Sequence, residues 1–221
     1  MSKRSKGWIA AGVVLFVLIA DQVLKIWIKT HLPLHDNIRI TDWFYLYFTE
    51  NNGMAFGIEL FDKFFLTFFR LVAAGVLIWY LHRICKKEET RIGYCVCIAL
   101  IIAGAIGNII DCLFYGLIFN DSYGQIATLF PAAGGYGSFF YGKVVDMLYF
   151  PLIDTYWPHW MPFVGGDQLV FFRPIFNLAD SSITCGIILL LLFFRKDLSD
   201  VTTSKKETTT APEKEEKPVI K

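Results

Sequence analysis

Long apolar runs alternate with polar segments along the chain, and four of the runs reach the length needed to cross a bilayer, about 20 residues at 1.5 Å each. They predict helical spans near 7–28, 64–82, 93–115 and 176–194. Polar residues interrupt these runs rarely, and the interruptions are patterned. Asp21 and Lys25 stand at i and i+4 in the first run, on one helix face where they can pair. Gly104, Asn108 and Asp111 recur at i, i+4 and i+7 in the third, and Asn177 and Asp180 open the fourth at i and i+3. The first long loop, 29–63, holds an aromatic and β-branched run, Ile38 to Phe48, and then Asn51-Asn52-Gly53. That pattern predicts strand, turn, strand, with the Asn-Gly pair able to take positive φ. The second, 116–175, is rich in Gly, Pro and aromatics, and its aromatics predict packing on the membrane surface. After residue 198 the chain has too little apolar material to fold. The expectation is an all-α membrane protein, a four-transmembrane-helix bundle with a small extracytoplasmic β-structured loop. Residues 1–198 form a single polytopic domain, and 199–221 a disordered cytoplasmic tail.

Composition agrees with this pattern. Of 221 residues, 55% are hydrophobic and 17% aromatic, and the mean hydropathy of +0.47 excludes an ordinary soluble domain. The first apolar run continues to about Ile28 without a small-residue cleavage site, which predicts an uncleaved first span. Net charge is only +1, but Lys and Arg are segregated. Lys3, Arg4 and Lys6 precede the first span, Arg83, Lys86, Lys87 and Arg91 fill the short loop after the second, and Arg195 and Lys196 follow the fourth. By the positive-inside rule both termini and that loop are cytoplasmic, and the two long loops face outward.

This orientation brings the acids together. Asp21 and Asp111 fall toward the outer ends of their spans and Asp180 into the first outer turn of its own, while Asp146 needs a re-entrant fold of Val144–Leu148 to join them. A carboxylate at the centre of a membrane helix costs about 2.5–3.5 kcal/mol on insertion scales, which makes such acids functional candidates. Structural readings stand beside the functional one. Asn177 can be a helix cap, the Gly104, Asn108 and Asp111 face can be a packing clamp, and Asp21 with Lys25 reads as a structural pair. Arg70, inside the second span, is expected to pair with Asp21 or Asp111. The five cysteines lie in or beside apolar runs, so neither a disulfide framework nor a zinc site is indicated. His31 and His35 are separated by Pro33, which breaks the helix that would align them on a metal. No nucleophile elbow or Walker loop is visible, and neither metal nor cofactor is expected. Two carboxyls held close cannot both ionise, and the split supplies a base for water and an acid for the leaving group.

Five blocks in order over nearly all the membrane portion resemble lipoprotein signal peptidase, the type II signal peptidase of bacteria. They are Asp21-Gln22-Val23-Leu24-Lys25, Asn51-Asn52-Gly53-Met54-Ala55-Phe56, Gly104-Ala105-Ile106-Gly107-Asn108-Ile109-Ile110-Asp111, Val144-Val145-Asp146 and Phe176-Asn177-Leu178-Ala179-Asp180. The resemblance implies an intramembrane aspartic endopeptidase with Asp146 and Asp180 as the catalytic dyad. It implies that Asp21, Lys25, Asn51, Gly53, Gly104, Asn108, Asp111, Asn177 and Ala179 shape or line the site. The implied substrate is a prolipoprotein whose Cys carries diacylglycerol, cut on the amino side of that Cys at the outer face of the cytoplasmic membrane. Membrane lipid is the other partner, nucleic acid is not one, and the chain is expected to be a monomer. Two departures stand out: the family usually has Arg where Cys112 follows Asp111, and the segments on either side of Asp146 are longer than usual. The alternative from another class is a small proton-coupled transporter with an Asp relay, which predicts acids staggered through the membrane; a non-catalytic assembly factor leaves Asp146 without a role.

Overall fold

The computed structural model describes residues 2–51 and 63–198. Helix α1 spans Lys3–His31, α2 Lys63–Cys85 and α3 Ile92–Ile110. The last runs on through a π-helical turn, Asp111–Tyr115, into a final turn, α4 Gly116–Ile118. The fourth apolar run forms α5, Leu178–Phe193. α1, α2 and the stretch Ile92–Ile118 are each long and apolar enough to cross a membrane, whereas α5, at 16 residues, is apolar but shorter. Local chemistry sets the ends. Ser2 Oγ accepts the N–H of Ser5 at 3.4 Å and caps α1, which stops at His31, two residues before Pro33.

α3 is the hub, packed against α1, α2 and α5. Its Gly, Ala and Cys residues let neighbouring backbones approach closely. A Cβ added at Gly104 would lie 2.2 Å from the carbonyl oxygen of Ala179, so only Gly lets α5 sit where it does. Two apolar clusters result. One joins Ala10, Tyr94, Cys95, Ile98, Ile102 and Leu190, and the other Ile28, Phe48, Tyr115, Phe119, Val145 and Met147. Asp21 and Lys25 on α1, and Asp111 at the end of α3, are buried between them. Outward faces carry exposed Phe16, Ile19, Val23, Phe69, Val76, Trp79, Leu192 and Phe193, an apolar girdle suited to lipid.

At one end of the bundle the three basic segments meet. Lys6 Nζ donates to the carbonyls of Lys87, Glu88 and Thr90 at 3.0, 2.8 and 2.5 Å. Lys3 pairs with Glu88 at 3.1 Å, and Arg91 reaches Asp197 and the carbonyl of Phe193.

The other end carries an antiparallel sheet in the order β1-β2-β3-β6, from β1 Asn37–Arg39, β2 Tyr45–Asn51, β3 Val144–Tyr149 and β6 Ile175–Phe176. A separate hairpin pairs β4 Ile153–Tyr156 with β5 Gln168–Phe171. This β region is larger than the sequence reading allowed, and Val144–Leu148 is a strand rather than a re-entrant fold. Its Val-Val-Asp-Met-Leu pattern suits a ladder, with β2 supplying the partner. The chain reverses inside the first aromatic run, where the N–H groups of Ile40 and Thr41 both donate to the carbonyl of Phe44 at 3.1 Å. Gly53, with the rest of its Asn-Gly turn, and the tail 199–221 lie outside the described residues.

Each long segment flanking Asp146 has its own structure. The first folds back over the end of α3, with the N–H groups of Tyr136, Gly137 and Gly142 donating to the carbonyls of Phe119, Gly116 and Cys112 at 2.8–2.9 Å. Gly142 permits this contact, since a Cβ there would meet the carbonyl oxygen of Asp111 at 2.0 Å. The second projects the β4–β5 hairpin, with Tyr156, Trp160 and Phe163 exposed toward its tip. Phe150 stacks on Phe44 and Phe176, with centroids 4.7 and 5.7 Å away, and anchors the hairpin's base.

Candidate functional site

Between the two apolar clusters lies a layer of buried polar residues centred on Lys25. Its ammonium reaches Asp21 Oδ2 at 2.9 Å, Asp111 Oδ2 at 2.8 Å and Asn108 Oδ1 at 2.9 Å. Those three contacts use all the donors an ammonium has. Both carboxylates are further satisfied. Asp21 Oδ1 accepts the N–H of Ala179 at 2.9 Å, Asp111 Oδ1 accepts Gln22 Nε2 at 2.9 Å, and Asp111 Oδ2 accepts the N–H of Val145 at 3.3 Å. Asp21, Lys25 and Asp111 are each 0–1% exposed, and a buried ion group is tolerable only when satisfied in this way. The layer thus ties α1, α3, the start of α5 and β3 together.

The two asparagines inherit their orientation from this frame. Asn108 Oδ1 accepts from Lys25 and, at 3.1 Å, from Asn177 Nδ2, so its amide nitrogen turns to Asp180, donating to Oδ1 at 2.7 Å. Asn177 caps α5, its Oδ1 accepting the N–H of Asp180 at 2.8 Å while Asp180 Oδ2 accepts the N–H of Asn177 at 3.5 Å. The other end of the same amide, Nδ2, donates to Asp146 Oδ1 at 2.7 Å. Asp146 and Asp180 are thereby joined through two hydrogen-bonded amides. Asp146 is buried at 3% exposure and Asp180 is half-buried. Burial first, then the negative charge of Asp180, pushes the Asp146 carboxyl up to about 7, against the pull of Asn177 and Lys25. Such a pair can hold one proton and offer both an acid and a base at neutral pH.

The structure brings together Asp21, Lys25, Gly104, Asn108, Asp111, Asp146, Asn177, Ala179 and Asp180. Asn51 ends β2 opposite Val144, two residues from Asp146. Arg70 departs from expectation. Asp21 and Asp111 are both taken by Lys25, and the guanidinium of Arg70 turns to Cys112, Nη1 lying 3.8 Å from Sγ. A cation from α2 therefore stands against the position where the resembling family carries Arg. Gln22 was missed. Its Nε2 reaches Asp21, Asp111 and the carbonyl of Gly107, and its Oε1 accepts from the hydroxyl of Tyr115 at 3.1 Å. The signal was its place beside Asp21 in an otherwise apolar run. Lys29 was missed as well, although Asp21, Lys25 and Lys29 stand at i, i+4 and i+8 on one face.

Fold and site define a class: a membrane protein with interlocked acids, amides and one lysine enclosed at the sheet-bearing end of an apolar helix bundle. The family is specific. The chain belongs to the signal peptidase II family, whose model, described as Signal peptidase (SPase) II, matches residues 13–195. It is similar to the lipoprotein signal peptidase of Porphyromonas gingivalis, 51% identical over 190 residues that cover 86% of this chain and 84% of that protein. The lipoprotein signal peptidase of Amoebophilus asiaticus is 36% identical over 192 residues, covering 84% and 77%. Among solved structures, one described as a bacterial membrane enzyme determined by the in meso method at 1.9 Å is similar with a TM-score of 0.57 and 26% identity, covering 85% of this chain and 93% of that one. Family and apolar helices together make this a bacterial membrane protein.

Proposed function

We propose that the chain is an aspartic endopeptidase that removes signal peptides from prolipoproteins, cutting on the amino side of a diacylglyceryl-modified Cys, with Asp146 and Asp180 as its dyad. Asp180 acts as base. It takes a proton from water as the water oxygen attacks the scissile carbonyl carbon, while Asp146 gives its proton to the carbonyl oxygen. Collapse of the tetrahedral intermediate returns that proton to Asp146 and breaks the C–N bond, and the leaving amine of the Cys takes the proton held by Asp180. Lys25 orients Asn108, and Asn108 and Asn177 hold the two carboxyls. One observation carries the reading: each carboxyl accepts from an amide nitrogen at 2.7 Å, and the two amides are bonded to each other.

On this reading α5 is the fourth span, and the basic end of the bundle faces the cytoplasm with both termini. The sheet and the dyad face outward, on the side where lipidated precursors arrive. A proton-relay transporter accounts less well for a layer in which Asp21, Asp111, Asp146 and Asp180 are linked laterally, because conduction needs acids staggered along the membrane normal. Cleavage of a diacylglyceryl-modified precursor peptide, with chelator present, tests the proposal. Wild type should cleave, and Asp146→Asn and Asp180→Asn should each lose at least about a thousandfold, the scale on which removing one member of a catalytic set is felt. Full activity in either variant sinks the dyad, and loss of wild-type activity to chelator points to a metal.

A further inference from the structure

A second buried ion cluster lies beside the site. Lys29, one helical turn beyond Lys25 on α1, sets its ammonium against Glu50 Oε1 and donates to Ser122 Oγ at 2.7 Å. The Ser122 hydroxyl donates in turn to Glu50 Oε1 at 3.1 Å, and Glu50 Oε2 holds Lys143 Nζ at 3.1 Å. The Lys29 and Glu50 side chains are 1% and 3% exposed. Rings of Phe48, Phe119 and Tyr136 surround the Lys29 ammonium, with centroids 5.1–5.7 Å away. Burial alone would lift the Glu50 carboxyl, but Lys29 and then Lys143 hold it below its usual value, so Glu50 is ionised at neutral pH. Lys143 is held a second time, its backbone N–H donating to the hydroxyl of Tyr136 at 2.6 Å.

The placement matters because of how β3 is held where it carries Asp146: Val145 and Met147 are buried in the core and Asp111 accepts the N–H of Val145, but sheet pairing comes from one side. β6 pairs only with Leu148 and Tyr149. At Asp146 the strand therefore has, among the described residues, a single sheet neighbour, β2, and that ladder shifts register between Leu46 and Thr49, next to the Thr49–Asp146 pair. A register shift beside that pair lets the ladder bend there, and the regular pairs Glu50–Val145 and Asn51–Val144 lie on its other side. Glu50 sits opposite Val145 in the same ladder. Its side chain runs to α1, the helix whose Lys25 orients Asn108 and, through it, Asp180.

We propose that Glu50, bridged to Lys29 and Lys143, is a positioning residue for the reaction: it fixes the start of β3 to α1 and so sets Asp146 against Asp180. This rests on the aspartic peptidase reading. The bridge touches neither carboxyl, and it acts by geometry alone.

The test uses full-length protein in proteoliposomes and a diacylglyceryl-modified precursor peptide. Lys143→Met removes one arm of the bridge at a side chain 31% exposed, together with the longer contact of Lys143 to Asp121 at 3.9 Å. With wild type, Asp146→Asn and Asp180→Asn run alongside, Lys143→Met should lower kcat about 10- to 100-fold, the cost of a misplaced catalytic group, and leave KM within about twofold. Lys143→Arg should restore kcat. The two limbs of the pH–rate profile should also draw together in Lys143→Met, because acids held further apart split their titrations less. Asp111 and Lys25, the other charges acting on Asp146, are unaltered in this variant. A purely structural role lowers the folded fraction and the height of the profile without moving its limbs. Wild-type kcat and limbs in both Lys143→Met and Glu50→Gln overturn the positioning role while leaving the dyad intact; an active Asp146→Asn or an inactive wild type overturns the dyad and this inference with it.

Discussion

Asn177 does with one amide what the sequence reading weighed as rivals. Its oxygen caps α5 through the N–H of Asp180, and its nitrogen holds Asp146. The capping motif and the site are the same residue, so the helix that delivers Asp180 is registered by the group that binds the other acid. Asp146, lifted to about 7, is the acid on the proposed reading. The sign follows directly: a carboxyl with a raised pKa serves as an acid below that value and loses its proton above it. Cleavage by wild type should therefore fall as pH climbs through about 7, and a kcat profile flat from pH 6 to 9 would count against Asp146 as the acid. At this scale most of the site was legible. Asp21, Lys25, Asn108, Asp111, Asn177 and Asp180 announced themselves as polar residues in apolar runs at helical spacing. Glu50 and Lys143 did not, because a charged residue in a polar loop is unremarkable until the fold buries it.

The elements owe their arrangement to α3. Its glycines set how closely α5 approaches, and Gly104→Ala puts a methyl 2.2 Å from the carbonyl oxygen of Ala179, a contact that only a backbone shift relieves. Overpacking of this kind costs about 1–3 kcal/mol. The shift moves Ala179, whose N–H Asp21 holds, and Asp180 beside it, so Gly104→Ala should lose activity more than tenfold with a lowered melting temperature; cleavage assays and thermal unfolding in the same detergent check both. The π-helical turn at Asp111–Tyr115 adds a local adjustment that lets Asp111 face Lys25 and Tyr115 face Gln22 from adjoining turns. Helix spacing alone did not reveal it. Spans and spacings were readable because helix contacts are local in sequence, whereas β3 was misread as re-entrant because its partner β2 lies far away along the chain and nothing near Val144 names it.

For the whole molecule, the basic residues drew the topology, and the structure gathers Lys3, Lys6, Arg91 and the carbonyls of Lys87, Glu88 and Thr90 at one end. The proposed orientation predicts that a Tyr123→Cys variant, at a residue 80% exposed, reacts with a membrane-impermeant maleimide from outside intact spheroplasts. A Lys87→Cys variant should react only after lysis, with Cys185 replaced in both. The reverse pattern would invert the topology. The Asp21–Lys25 pair bears on how such a chain is made. During synthesis α1 reaches the translocon before Asn108 or Asp111 has left the ribosome, so an unpaired Lys25 would have to enter lipid with its charge exposed. Asp21, one turn earlier on the same helix, supplies a counter-ion that travels with it. The Asp21–Lys25 pair can thus enter the membrane as a neutral unit, and Lys25 is shared with Asn108 and Asp111 only when the later helices arrive.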